Sequence, residues 1–269
     1  MDSILTPPIE RWQIKTVAIV QARMSSKRLP GKVMMDIAGK PMLFHVVSRV
    51  QKAQKIDHVV VATSNHYEED TIEKFCRRES ISCFRGSLDD VLDRYYRAAS
   101  LFAAEVIVRL TADCPLLDHD LIDQVVHAFH SGHADYASNA LECTYPDGLD
   151  TEVFSRSVLE NTWQNAKLKS EREHVTPYIY KHPEQFRIVK IKHSENLSHF
   201  RWTVDDHTDL EFVRSIFECM GKLYFGMTDV LNLLQQHPEI CQLNSNARRN
   251  EGYLKSLKQD NLKDNRRHI

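Results

Sequence analysis

The feature that most constrains the fold is an alternation of β-rich runs with amphipathic helical segments through the first half of the chain. Four runs are apolar and rich in β-branched residues, which predicts buried strands: TVAIVQA (16–22), DHVVVAT (57–63), ISCFRG (81–86) and VIVRLTAD (106–113). The segments between them repeat apolar residues at helical spacing, as in GKPMLFHVVSRVQKA (39–53). Strands alternating with helices predict right-handed crossover units and a largely parallel sheet.

The rhythm loosens beyond His130, where the predicted strands are short. We expect them at DYASN (135–139), TEVFS (151–155), FRIVKIK (186–192) and FRWTV (200–204), with helical patterns around SVLENTWQNA, EREHVTPYIYKH, DLEFVRSIFECM and MTDVLNLLQQH. This half is expected to extend the first sheet. The sequence therefore predicts one α/β domain over residues 14–241 with a mostly parallel, mixed sheet and flanking helices.

Charge and hydropathy exclude several classes of function. The 35 Lys and Arg residues nearly balance 37 Asp and Glu, so the whole chain offers no electrostatic attraction to nucleic acid or an anionic membrane. The longest apolar stretches, such as 59–62, are far below the roughly 20 residues that cross a bilayer, and the N-terminus carries acids where a signal peptide carries bases. We expect a cytoplasmic protein, and a homodimer is left open.

The most informative stretch is QARMSSKRLPGKVMMDIAGKP (21–41), between the first strand and the first helix. In open α/β sheets, ligands bind outside the carboxyl ends of the strands, where this loop must lie. The loop concentrates cations, hydroxyl donors and a glycine that permits close backbone approach: Arg23, Lys27, Arg28 and Lys32; Ser25 and Ser26; Gly31. A solvated basic loop is the alternative, but the position after strand one favours a polyphosphate site. It is not a Walker loop, because G-x-x-x-x-G-K-[ST] is absent.

Five blocks of sequence, in order from residue 17 to about 213, resemble one protein family. They are AIVQARMSSKRLPGKVMMDIAGKPML, VIVRLTADCPLLD, YPDGLDTEVFS, EREHVTPYIY and FRWTVDDHTDLEFV. The chain is similar to the spore coat polysaccharide biosynthesis protein F family, within the cytidylyltransferases that act on acylneuraminate and 3-deoxy-manno-octulosonate. The resemblance implies a Rossmann-like fold of the nucleotide-diphospho-sugar transferase (glycosyltransferase A) type, with CTP and Mg²⁺ as ligands. It divides the domain into a nucleotide half, about 14–130, and an acceptor half, about 131–241.

The resemblance also implies roles for the loop residues and for two carboxylates. Asp113 and Asp205 match the family's metal ligands, and neighbouring Asp206 is a further candidate whose alternative role is to cap the following helix. The expected catalytic residues are Arg23, Arg28, Lys32, Asp113 and Asp205. The expected nucleotide-binding residues are Gln21, Ala22, Arg23, Ser25, Arg28, Gly31 and Lys32, with backbone groups of the first two near the base.

The acceptor implied by the resemblance is an anionic ulosonic acid, such as a legionaminate- or octulosonate-like sugar, whose hydroxyl attacks the α-phosphorus of CTP and releases pyrophosphate. Asp147, Asp150 and Glu152 are expected to bind its hydroxyls, and Arg172 and His174 its carboxylate. An ion pair with a nearby acid is the alternative for Arg172. A different phosphate- or carboxylate-bearing alcohol, a glycosyltransferase of the same fold and a nucleotide-binding scaffold are the alternative functions. Residues 242–269 hold seven Lys and Arg against three acids and are expected to form a basic, poorly ordered extension or a frayed helix.

Overall fold

A seven-stranded mixed sheet forms the centre of the computed structural model, which describes residues 16–245, 249, 253–254 and 256–260. The expected leader (1–15) and the remainder of the C-terminal extension lie outside the described residues. The strands are β1 Thr16–Gln21, β2 Asp36–Ile37, β3 Lys40–Pro41, β4 His58–Ser64, β5 Ser82–Gly86, β6 Val106–Thr111, β7 Tyr136–Ser138, β8 Glu152–Ser155 and β9 Ile188–Lys190. Strands β2 and β3 form a separate two-stranded ribbon.

The strand order in the large sheet is β5-β4-β1-β6-β8-β7-β9. Strands β5, β4, β1 and β6 are parallel, and β8 runs antiparallel to both β6 and β7. The predicted mostly parallel, mixed sheet is thus confirmed. The chain passes from β1 outward to β4 on one side and later returns to β6 on the other, so the strand order reverses between β1 and β6. A ligand crevice is expected at the carboxyl ends of these two strands.

Ten α-helices flank the sheet between residues 16 and 245, and the described residues 253–254 and 256–260 of the C-terminal extension are helical as well. They are α1 Met42–Val50, α2 Asp70–Arg78, α3 Val91–Leu101, α4 His119–Ser131, α5 Arg156–Asn165, α6 Lys169–His174, α7 Pro177–Lys181, α8 His207–Met220, α9 Met227–Gln236 and α10 Pro238–Cys241. Short 3-10 helices lie at Lys32–Met34, Tyr67–Glu69 and Gln242–Asn244. Among the described residues, no helix has the length and apolar character that crossing a membrane requires.

Alternate side chains of the central strands pack into two separate layers. Ala18 and Val20 of β1 join the layer formed with α1, α2, α4, α8 and α9. Val17 and Ile19 point the other way, into the layer formed with α3, α5 and α7. Both faces are covered, which explains why the strands are continuous apolar runs in the sequence.

The segment FRWTV (200–204), predicted as a strand, instead forms a loop with one isolated bridge between Arg201 and Asp147. Its backbone N–H groups bond two other loops: Trp202 donates to the carbonyl of Asp147 (2.6 Å) and Val204 to that of Asp113 (2.8 Å). The prediction of a strand was therefore wrong, because this apolar segment finds its backbone partners in loops at the edge of the crevice. Trp202 is fully buried there.

Candidate active site

The basic loop after β1 is held in a fixed shape by its own backbone. The carbonyl of Met24 accepts hydrogen bonds from Ser26 N (2.9 Å) and Gly31 N (2.8 Å), and Leu29 is buried beneath the loop. Gly31 has a φ of 72°, in the left-handed region that glycine adopts without strain, and it directly precedes the 3-10 helix of Lys32. The turn thereby directs Lys32 into the crevice while the rest of the loop stays at the surface.

A buried carboxylate also fastens this loop to the neighbouring strand. Glu69 has no solvent exposure, and its Oε2 accepts hydrogen bonds from the Met24 backbone N–H (3.0 Å) and from Thr63 Oγ1 (3.0 Å). Its Oε1 lies 3.4 Å from the donating hydroxyl of Ser64. Charge-assisted bonds to a buried carboxylate are strong, so Glu69 fixes the position at which the basic loop leaves the sheet.

The cationic residues of the loop divide into two groups. Arg23 and Lys27 are exposed, and Ser25 is partly buried. Lys32 is almost buried and Arg28 is about one-third exposed, and both form ion pairs with the predicted metal-binding carboxylates. The structure therefore brings the predicted phosphate-binding cations and the predicted metal ligands together.

Lys32 lies at the centre of this cluster. Its Nζ donates to Asp113 Oδ2 (2.8 Å), to Asp205 Oδ1 (2.8 Å) and to the carbonyl of Val204 (2.7 Å). Arg28 Nη2 lies 2.7 Å from the other oxygen of Asp205. Burial would raise the pKa of Asp113, but the adjacent Lys32 ammonium outweighs it and holds that pKa at about 2. Burial likewise opposes the charge of Lys32, yet the two carboxylates raise its pKa.

Arg201 and Asp209 form a second set of ion pairs that holds Asp205 in position. Arg201 binds Asp209 through Nε (2.9 Å) and Nη2 (3.0 Å), and the same Nη2 contacts Asp205 Oδ2 (2.9 Å). Asp209 is fully buried, and it also accepts the backbone N–H of Asp205 (2.9 Å). A bidentate guanidinium contact fixes orientation as well as charge, so the carboxylate of Asp205 is set before any ligand arrives.

The donor set fits a Mg²⁺ ion that binds together with a phosphorylated ligand. Asp113 and Asp205 offer hard carboxylate oxygens, and the Lys32 ammonium already stands where a cation bridges them. Within the described residues, no group of three or more His, Cys, Asp and Glu side chains could hold a metal ion. Water and phosphate oxygens would therefore complete the shell, as Mg²⁺ commonly requires.

Asp206 serves a different purpose from its neighbour. Its Oδ1 accepts hydrogen bonds from Asp209 N (3.1 Å) and Thr208 Oγ1 (2.7 Å), which makes it the N-cap of α8. These hydrogen bonds lower its pKa against the effect of burial. Asp206 therefore fulfils the alternative expected for it, the capping role, and Asp205 alone of the two contacts Lys32.

The backbone groups expected to read the base are mostly engaged within the sheet. The carbonyl of Gln21 accepts from Ala112 N (3.0 Å), and Ala22 N donates to the carbonyl of Ala62 (3.1 Å). These two groups therefore join β1 to its neighbours, and a role of this pair in reading the base stays a prediction. The side-chain Oε1 of Gln21 is buried and has no hydrogen-bond partner in the described part of the chain.

The predicted acceptor residues Asp147 and Asp150 lie on a tight turn beside the segment 200–204, which leads to Asp205. Gly148 on this turn has a φ of 109°, and a Cβ there would lie 2.6 Å from the carbonyl carbon of Trp202. Burial raises the pKa of Asp147 to about 6, with the charge of Asp150 adding to the effect, and burial also raises the pKa of Asp150. Arg249 bonds Asp150 and contacts Asp147.

Glu152, expected to bind sugar hydroxyls, is fully engaged by protein groups. One oxygen accepts from Tyr136 Oη (2.5 Å) and Thr176 Oγ1 (2.6 Å), and the other forms an ion pair with Arg109. The Glu152 side chain is buried. The expectation for Glu152 is therefore corrected: its carboxylate joins β6, β7 and the start of α7 and has no oxygen left for a sugar.

Arg172 and His174 are also committed elsewhere. Arg172 donates to both oxygens of Asp90, the N-cap of α3, and to the carbonyl of Trp163. It is an interhelix ion pair, so the prediction that it binds the acceptor carboxylate is corrected. Burial, and then the charge of Arg109, lowers the pKa of His174 to about 4. A neutral imidazole bonded to Ser256 Oγ (3.0 Å) supplies no positive charge for a carboxylate.

Sequence reasoning missed four supporting residues: Glu69, Arg109, Arg201 and Arg249. Arg109 alone had a visible signal, since a cation inside the apolar run VIVRLT needs a buried acid as partner. Glu69 and Arg201 have partners close in the chain, but the bond of Glu69 to Met24 spans 45 residues and that of Arg249 to Asp150 spans 99, so no local pattern indicates them.

Comparisons with known proteins agree on one family. The family model described as "Cytidylyltransferase" matches residues 17–242. An uncharacterized protein of Methanocaldococcus jannaschii is 35% identical over 237 residues, which cover 87% of this chain and 96% of that protein. The spore coat polysaccharide biosynthesis protein SpsF of Bacillus subtilis is 31% identical over 231 residues, covering 82% of this chain and 94% of SpsF.

One solved structure has the same architecture over most of its length. A cytidylyltransferase from Leptospira borgpetersenii superposes with a TM-score of 0.82 at 31% sequence identity. The match covers 86% of this chain and 98% of that structure. The C-terminal extension beyond residue 242 lies past the end of the family match.

Proposed function

The chain belongs to the cytidylyltransferase family and is a CTP-dependent nucleotidyltransferase, and on that premise we propose that it transfers CMP from CTP to an acidic sugar of the ulosonic acid class. The sugar hydroxyl forms a new bond to the α-phosphorus while the bond to the β-phosphate oxygen breaks. The hydroxyl proton is released and pyrophosphate leaves. The activated sugar would supply surface polysaccharide synthesis, which is also the role that the name of SpsF states for that relative.

The observation that carries this proposal is the cluster of Lys32, Asp113 and Asp205 at the carboxyl ends of β1 and β6. Transfer of a nucleotidyl group depends on positioning and on neutralising phosphate charge. A Mg²⁺ ion held by Asp113 and Asp205 would supply Lewis-acid neutralisation of the α-phosphate when bound. This cluster has both of the carboxylates and the buried cation that such a reaction uses.

The cations of the loop have a separate task. Lys32 and Arg28 bind carboxylates in this structure and can exchange them for the oxygens of the β- and γ-phosphates. Arg23 and Ser25 add further donors on the same loop. Because Glu69 and Gly31 fix the loop, little conformational freedom is lost when the triphosphate binds.

Asp147 and Asp150 are the acids best placed to orient the sugar. They lie on the turn that contacts the segment carrying Asp205, and Asp150 is about one-third exposed at its side chain. Glu152 acts behind them by holding Arg109. A glycosyltransferase is less well supported, since Thr111-Ala112-Asp113 lacks the first acid of a D-x-D metal motif.

The test is pyrophosphate release on mixing the full chain with CTP, Mg²⁺ and a panel of 3-deoxy-manno-octulosonate, legionaminate and an acylneuraminate. We expect release with at least one sugar and none without sugar. Asp113→Asn is the control, because it preserves shape while it removes a negative charge from the metal-binding pair. CTP should also raise the melting temperature more than ATP, GTP or UTP. Absence of release with all three acids would refute the acceptor class, and equal thermal shifts would refute base selectivity.

A further inference from the structure

Arg249, a cation of the C-terminal extension, lies against the turn that carries Asp147 and Asp150, which we call the acceptor wall. Arg249 is seven residues beyond the end of the family match, and its side chain is only 16% exposed. Its Nη2 donates to Asp150 Oδ1 (2.5 Å) and its Nη1 to the carbonyl of Tyr145 (3.2 Å). The extension is therefore attached to the turn on which the acceptor acids lie.

The guanidinium of Arg249 is not saturated by these contacts. Its Nε is buried and has no hydrogen-bond acceptor in the described part of the chain. An oxygen of Asp147 lies 3.7 Å from Nε, beyond hydrogen-bonding distance. A buried donor without an acceptor is unfavourable, so a shift of the guanidinium that brings Nε to a ligand oxygen would relieve that cost.

The charges around the turn make this cation necessary for an acidic acceptor. Asp147 and Asp150 repel an anion, and Asp113 is close enough to raise the pKa of Asp147 further. Arg201 is bound bidentately by Asp209 and also pairs with Asp205. Without Arg249, the wall would present carboxylates to a sugar that carries one itself.

The other cations considered for the carboxylate are occupied. Arg172 is bound by Asp90, and His174 is neutral near pH 7. Lys32 and Arg28 lie at the phosphate and metal cluster. Arg249 alone among these cations combines a buried position beside the acceptor acids with an unsatisfied donor.

We propose that Arg249 is a specificity-determining residue, which receives the carboxylate of the acidic acceptor and makes the C-terminal extension part of the sugar site. The inference rests on the proposed function and deepens it, since it names the group that recognises the acid. Because Arg249 lies outside the region matched by the family model, sugar selectivity can change without alteration of the CTP and metal cluster.

The experiment compares four full-length proteins: wild type, Arg249→Gln, Arg249→Lys and Lys258→Gln. Lys258 is an exposed cation of the same extension and serves as the matched control. Michaelis constants for CTP and for the best acid of the panel are measured by pyrophosphate release. The methyl ester of that acid, which lacks the charge, is tested as a competitive inhibitor. Melting temperatures show whether each protein folds. If Arg249→Gln does not fold, the test is made with Arg249→Lys instead.

We expect Arg249→Gln to raise the KM for the acid at least tenfold and to change the KM for CTP less than twofold. The KM of Arg249→Lys for the acid should lie between those of wild type and Arg249→Gln, because lysine keeps the charge but loses the paired donors. Lys258→Gln should resemble wild type, and inhibition by the ester should not differ between wild type and Arg249→Gln. An unchanged KM for the acid would overturn the inference, as would equal losses for acid and ester, which indicate a structural role. Wild type that uses no acid refutes the proposed function, and this inference with it.

Discussion

Replacing Asp147 by asparagine should stabilise the protein at neutral pH while it impairs use of the sugar. Burial raises the pKa of Asp147 from 3.8 to about 6, and the favourable contacts with Arg249 and Arg201 are already contained in that value. The side chain is 13% exposed, so solvent screens the effect little. At about 1.4 kcal/mol per pKa unit, the ionised carboxylate costs the fold about 3 kcal/mol.

The pH dependence follows from the sign of this change. Between pH 4 and 6 the folded protein holds a proton on Asp147 that the unfolded chain has already released. Stability contributed by this group therefore falls as the pH rises through that window, and the full cost is present above pH 6. An asparagine does not titrate, so Asp147→Asn should gain stability relative to wild type from pH 4 to pH 7, approaching about 3 kcal/mol.

The assay is urea unfolding of both proteins at pH 4, 5, 6, 7 and 8, followed by tryptophan fluorescence, since Trp202 is fully buried. Asp209→Asn is the matched contrast, because Asp209 also binds Arg201 but is fully buried in a bidentate pair. Asp209→Asn should lower the free energy of unfolding by about 3 to 5 kcal/mol, the usual cost of breaking a buried ion pair. A variant Asp147→Asn that is less stable than wild type at pH 8, or a difference independent of pH, would refute the reasoning.

Four further substitutions test three separate parts of the structure. Asp205→Asn should abolish turnover, whereas Asp206→Asn should keep kcat within about threefold, because asparagine caps a helix nearly as well as aspartate; steady-state kinetics decide. Glu69→Gln should raise the Kd for CTP severalfold in calorimetric titration, since the Met24 N–H loses its charged acceptor, and an unchanged Kd would contradict this. Arg172→Lys should leave the KM for the sugar unchanged and lower stability by about 1 kcal/mol in thermal unfolding; a selective rise in that KM would return Arg172 to the sugar site.

The sequence placed Lys32 and Asp113 at the same edge of the sheet because both residues follow strands. Lys32 and Asp113 come after two apolar runs, and parallel strands bring such positions to one edge. Asp205 came from the family resemblance, and the structure places it against Lys32. The ambiguity between Asp205 and Asp206 could not be resolved from spacing, since both precede the same helix.

The acceptor side was harder to predict because its partners are distant in the chain. Arg172 binds Asp90, 82 residues earlier, and no periodicity indicates that contact. Arg249 and Asp150 are 99 residues apart. The run FRWTV has the composition of a strand, but its backbone bonds lie with the loops at Asp113 and Asp147. The composition of a segment indicates whether the segment is buried, but it does not indicate which neighbouring segment its backbone N–H groups bond.

Gly148 brings two backbones into direct contact next to the segment that leads to Asp205. The turn bearing Asp147 and the segment leading to Asp205 have no side chain between them at this point, and a Cβ at residue 148 would lie 2.5 Å from Thr203 N. In the proposed reaction, a sugar bound by the turn would therefore be positioned against the segment leading to Asp205 through backbone contacts, which adjust less than side-chain contacts do. We therefore expect substitutions of Asp147, Asp150 or Arg249 to change the turn locally, whereas any residue larger than glycine at 148 would displace the turn and the segment leading to Asp205 together.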